Sequence, residues 1–81
     1  MGRNDGVEVR RERIQKVIQM IMAMFNNDPK ATSFPLDVTI ADIEYTLGLK
    51  EERILEYASI GEKRGLFIID QNNNQIRKPE C

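Results

Sequence analysis

From Val38 to Lys78 the chain spells out a short capped helix, a tight turn, a second helix and a two-stranded hairpin. Segments in that order leave little freedom in how the pieces can pack. Thr39 stands where an N-cap should be, with Asp42 supplying the negative charge that a helix start favours. Val38 and Ile43 are spaced as a hydrophobic staple. Ile40, Ile43 and Leu47 form the inward face, and Gly48 closes the helix in the left-handed region with Leu49 packing back. Leu49-Lys50-Glu51 makes the turn, and Glu52 to Arg64 is the following helix. That helix points Ile54, Ala58, Gly61 and Gly65 inward, with Leu55 and Tyr57 beside them. Gly61 costs about 1 kcal/mol against alanine in a helix interior, which a close helix–helix crossing would explain. Leu66 to Ile69 and Gln75 to Lys78 flank the polar tip Gln71-Asn72-Asn73-Asn74. Asparagine suits such a tip because it tolerates left-handed backbone.

Upstream, Met1 to Gly6 is read as a disordered tail, and a long helix runs from about Val7 to Phe25. Val7, Ile14, Val17, Ile18, Ile21 and Phe25 make its core stripe, with Met22 and Met24 on the shoulders. Asn26-Asn27-Asp28-Pro29 ends it, because proline breaks the hydrogen-bond ladder and restricts the residue before it. Phe34 to Val38 alternates as a short strand, and Pro35, lacking an N–H, belongs at an edge. One domain over residues 7–78, followed by a short tail at 79–81, is what 81 residues allow.

Several chemistries are excluded by residue type. The chain has no histidine, and its one cysteine is Cys81, so Cys/His zinc sites, Ser-His-Asp triads and Cys-His dyads cannot be built within it. Asp70-x-Asn72-x-Asn74 opens like a calcium loop, but the following glycine and the twelfth-position glutamate are replaced by Gln75 and Cys81. No local spacing brings two carboxylates together for acid–base work. No enzyme, metal or cofactor is expected. The lone cysteine fits a reducing compartment. Met1 to Gly6 is too polar for a signal peptide, and Gly6 breaks the myristoylation pattern. The apolar run Met20 to Phe25 is far short of the ~20 residues of a membrane span. A cytoplasmic protein is expected.

The stretch Thr39-Ile40-Ala41-Asp42-Ile43, Leu47-Gly48-Leu49, Ile54-Leu55 and Lys63-Arg64-Gly65-Leu66-Phe67 resembles the winged helix-turn-helix superfamily, and the likeness of order extends over residues 7–78. Small archaeal and bacterial DNA-binding regulators share this grammar, as do the accessory winged-helix domains of archaeal replicative helicases. The resemblance implies an α+β fold of three helices with a small three-stranded antiparallel sheet, the strand at 34–38 pairing with the wing. It also implies a small DNA-binding protein, a transcriptional regulator, that reads duplex DNA with the helix after the turn and with the wing. Carried over by position, the DNA-binding residues are Lys50, Arg53, Ser59 and Lys63 for the groove, and Asn73, Arg77 and Lys78 for the wing.

Charge complicates that reading. The whole chain is −1, so DNA affinity must come from local patches. Between Asp37 and Glu56 six acids face two bases, a net −4 on the surface expected to read DNA. The cations sit elsewhere, in Arg10, Arg11, Arg13 and Lys16 and in Lys63, Arg64, Arg77 and Lys78. Brought together, the two clusters would form a positive saddle for phosphates. The rival reading is a protein-interaction or adaptor domain in a larger replication or transcription assembly. On the first helix Val9, Met20, Ala23 and Met24 make a second apolar stripe, shared by Arg13 and Lys16. It serves either a homodimer interface of Val9, Arg13, Met20, Ala23 and Met24, or burial beneath the 26–36 loop. Tyr45 and Tyr57 are expected half-buried with their hydroxyls in solvent.

Overall fold

The computed structural model describes the backbone of residues 5–79, with side chains from Val9 onward. Its elements are α1 (Asp5–Asn27), β1 (Ser33–Pro35), α2 (Leu36–Leu47), α3 (Glu51–Lys63), β2 (Ile68–Asp70) and β3 (Gln75–Arg77). The strands form an antiparallel sheet in the order β1-β3-β2. The α+β class, the three helices and the three-stranded sheet agree with the sequence reading, and the layout is consistent with a winged helix. Of the tail read at 1–6, Asp5 and Gly6 belong to α1, and residues 1–4 lie outside the described residues, as do 80 and 81 of the tail at 79–81.

A single core joins the elements. Val17, Ile18, Ile21 and Phe25 of α1 meet Leu36, Ile40 and Ile43 of α2, Ile54, Tyr57 and Ala58 of α3, and Leu49, Phe67 and Ile76. Of the α1 stripe, Ile14 is half-buried and Val17, Ile18, Ile21 and Phe25 are buried, while residues 9–13 are exposed and the Val7 side chain lies outside the described residues. Burying an aliphatic side chain of this size stabilises by about 1.5–3 kcal/mol. Phe25 and Phe34 meet edge to face at 4.9 Å between ring centres, which seats β1 against α1.

Two helix ends follow their sequence signals. Gly48 has φ 68°, and its N–H donates to the Glu44 carbonyl at 2.8 Å. Gly65 has φ 76° and donates to Glu62, while Leu66 donates to Gly61, so α3 ends in a Schellman motif. Pro35 lies on the edge strand β1, as its missing N–H requires.

The start of α2 departs from expectation. The strand stops at Pro35 and the helix begins at Leu36, so Thr39 is not the N-cap. Thr39 is instead buried within the first turns, and its hydroxyl donates to the Pro35 carbonyl at 2.7 Å. Val38 is 61 % exposed, so no staple to Ile43 forms. The cap comes from the far end of the chain. Asn74 accepts the Leu36 N–H on its carbonyl at 2.9 Å and the Asp37 N–H on Oδ1 at 3.0 Å, and its Nδ2 donates to Asp37 Oδ1 at 2.9 Å. A tertiary partner satisfies the orphan donors that a local serine or threonine usually takes.

Other adjustments share one cause: which face of an element meets the body. α3 takes in Glu51, expected in the turn, and Gly65 is exposed rather than inward. Tyr57 is buried, and Tyr45, expected half-buried, is 92 % exposed on the outer face of α2. At Gly61 a Cβ would lie 2.5 Å from Phe67 Cζ and 3.1 Å from Ile18 Cγ1. The crossing with α1 is there, and the Phe67 ring occupies most of the space a side chain would need.

Candidate nucleic-acid interface

The residues expected to read a groove lie on α3 and its N-cap. Lys50 is the N-cap and is exposed, and Lys63 is exposed in the last turn. Arg53 is exposed but pairs with Glu56 at 3.2 Å, one helical turn on. The half-buried Ser59 donates its hydroxyl to the Glu56 carbonyl at 2.6 Å. Asp37, Asp42, Glu44, Glu51, Glu52 and Glu56 are all exposed, so the α2–α3 surface presents the negative charge that its composition announced.

The wing residues are held by internal bonds. Asn73 donates its N–H to Asp70 Oδ1 at 3.2 Å and its Nδ2 to Asp70 Oδ2 at 2.7 Å. Those donors hold the Asp70 carboxyl below its ordinary range, aided by the Arg77 charge. Arg77 lies across from Asp70 with Nη2 3.8 Å from Oδ2, and its Nε is buried with no hydrogen-bond partner. Lys78 donates Nζ to the Pro29 carbonyl at 2.6 Å and its N–H to the Thr32 carbonyl at 3.1 Å, tying the wing base to the loop after α1. The turn itself folds onto α2 through Asn74, whose φ of 55° is the left-handed region that asparagine tolerates. The Asp37 carboxyl is likewise held low, by the Asn74 side chain first and then by the Val38 N–H.

Among the described residues, the two basic clusters approach each other where Arg11 meets Arg64. Arg11 and Arg64 line an open groove of about 360 Å³ together with Ile14 and Gln15, between the N-terminal half of α1 and the end of α3. Lys63 precedes Arg64 on the same terminus. Arg77 and Lys78 are engaged with Asp70 and Pro29 as above, so the saddle is reduced to its α1–α3 side. On α1, Val9, Arg13 and Ala23 of the second stripe are exposed, while Met20 and Met24 are half-buried. Sequence reasoning passed over Glu62, whose Oε2 accepts the Ile69 N–H at 3.0 Å and covers part of the outer edge of β2. No helix among the described residues is long and apolar enough to cross a membrane.

Comparison of the chain with protein-family models, with curated proteins and with solved structures gave no significant match.

Proposed function

We propose that this winged-helix-like domain is a small DNA-binding protein, a cytoplasmic transcriptional regulator acting as a homodimer, that grips duplex phosphates with the α1–α3 edge. The observation that carries the reading is the convergence of Arg11 and Arg64 on one open groove, with Lys63 adjacent. Phosphate neutralisation dominates affinity for DNA, so cations exposed to solvent matter more than position in a motif. Lys50 and Lys63 extend the contact along α3. Asn73, Arg77 and Lys78 keep the wing in shape, and Arg53 must leave Glu56 before it can meet a phosphate. A second reading, an adaptor within a larger protein assembly, is favoured by the exposed acids on α2 and the first turns of α3.

Fluorescence anisotropy with a labelled random duplex at ~50 mM salt separates the two. The expected result is micromolar or tighter binding that weakens with salt. Arg11→Ala with Arg64→Ala should reduce the salt slope by about two. Absence of binding at low salt, or binding indifferent to that double variant, removes the DNA reading from this edge.

A further inference from the structure

Along α1 the residues Val9, Arg13, Lys16, Met20 and Ala23 follow one another at alternating steps of four and three, the spacing of a seam that packs on another helix. This seam lies away from the core-facing stripe except at Met20, part of whose side chain packs against the core. Val9 is 41 % exposed, Arg13, Lys16 and Ala23 are exposed, and Met20 is half-buried. The seam is apolar at both ends and cationic in the middle. Packing α1 on a second α1 would oppose like charges. A parallel pair sets Arg13 on Arg13 and Lys16 on Lys16, and an antiparallel pair centred on the seam sets Lys16 on Lys16, across the ~8–10 Å of a helix contact.

The outer face of α2 has the complementary pattern. Val38, Asp42 and Tyr45 are spaced by four and three, and Ala41 sits beside Asp42. Val38 and Tyr45 are 61 % and 92 % exposed, the highest exposures among the large hydrophobic residues described. Asp42 is exposed between them, and Asp37 and Glu44 flank the strip. This face is apolar at both ends and anionic in the middle.

We infer that the occupant of this face is a second copy of the chain: the α1 seam of one copy packs on the outer face of α2 of the other, and reciprocal exchange closes a two-fold dimer. In this contact Arg13 and Lys16 bracket Asp42, and Val9 and Met20 cover Tyr45 and Val38. From Val9 to Met20 is about 16 Å along a helix axis and from Val38 to Tyr45 about 10 Å, so the donor seam overlaps the acceptor at both ends. The two faces are also separated within one copy. Gly61 lies against Ile18 near the middle of α1 and Arg64 beside Arg11 and Ile14 in its N-terminal half, while Glu51 begins α3 about 20 Å away at the opposite end of that helix. The molecule measures 44 × 25 × 23 Å, and residues 9–13 of α1 are exposed, with the seam side turned away from the groove shared by Arg11 and Arg64. A closed pair makes the contact twice, as two-fold symmetry requires. The contact rests on these two faces and stands apart from the DNA reading, since Arg11, which shares its groove with Arg64, lies on the side of α1 opposite the seam.

Sedimentation velocity of the full chain tests it, with circular dichroism to verify folding of each variant. The wild type should dimerise at low salt and dissociate as salt is raised. Asp42→Lys alone, and Arg13→Glu with Lys16→Glu alone, should each weaken the dimer more than tenfold. An equimolar mixture of those two variants restores opposite charge at both contacts and should re-form a mixed dimer. A wild type that stays monomeric at low salt overturns the proposal. So does Asp42→Lys dimerising like the wild type, which would return the interface to α1 on α1, and so does a mixture that stays monomeric.

Discussion

Gly61 stands mid-helix because the Phe67 ring and Ile18 leave no room for a methyl group. The helix loses about 1 kcal/mol of propensity there. Replacing glycine recovers that amount but overpacks a full core, at a cost of about 1–3 kcal/mol. With Phe67 wholly buried, the second effect wins. Gly61→Ala should lower Tm by several degrees, at about 4–8 °C per kcal/mol for a domain of this size. Phe67→Leu in the same chain should recover part of the loss, a non-additivity that a double-mutant cycle in urea would read. The tyrosines make the opposite comparison. Tyr57 is in the core, and its truncation to alanine should cost about 3–5 kcal/mol. Tyr45→Ala in the monomer should change stability by no more than about 0.5 kcal/mol, because folding removes almost none of its surface from water.

At the scale of elements, the hairpin turn and α2 form one unit. Asn74 supplies the cap for the first turn of α2, and Asp37 returns a carboxylate to the Asn74 amide. Asn74→Ala removes the side-chain cap and forces alanine into left-handed backbone, which should cost about 1–2 kcal/mol. Asn74→Gly keeps the backbone geometry and loses only the side chain, so the difference between the two variants in chemical denaturation isolates the strain. The pH dependence has a definite sign. The Asp37 carboxyl titrates below its ordinary value in the folded state, so its contribution is present above pH ~4 and is lost as pH falls through the folded value. The stability gap between wild type and Asn74→Gly should therefore narrow below pH ~4. A gap that is constant from pH 7 to 2 would show that the Asn74–Asp37 bond contributes nothing.

For the whole molecule, α1 divides into two regimes. Its C-terminal half carries Val17, Ile18, Ile21 and Phe25 into the core, whereas residues 9–13 are exposed and bury nothing in it. A helical turn held by backbone bonds alone is marginal, since nucleation is costly and propagation gains little in water. Hydrogen exchange should show the amides of residues 10–13 exchanging orders of magnitude faster than those of residues 18–25 in the monomer. In a dimer formed as inferred above, the first group should become protected while the second changes little. Uniform protection along α1 in a monomeric sample would contradict this division.

Local signals carried most of the architecture. Gly48 and Gly65 marked helix ends because the left-handed region is a property of a single residue. The α1 stripe marked its element because period is a property of a short window. The apolar run Leu66 to Ile69 marked a strand two residues early, since Leu66 and Phe67 precede β2 and Phe67 goes to the core instead. Pro35 marked an edge because it has no N–H to give. Of the site, sequence alone announced the acidic α2–α3 surface and the two cationic clusters, since charge survives folding unchanged. What it could not determine was which cations meet. Arg11 and Arg64 share a groove, while Lys78 is spent on Pro29 and Arg77 on Asp70. Nor could it find the cap of α2, because Thr39 satisfies every local rule and loses to Asn74, a residue placed there by the sheet register. Propensity and period act over a few residues, and pairing between distant groups exists only once the core has brought them within hydrogen-bonding distance.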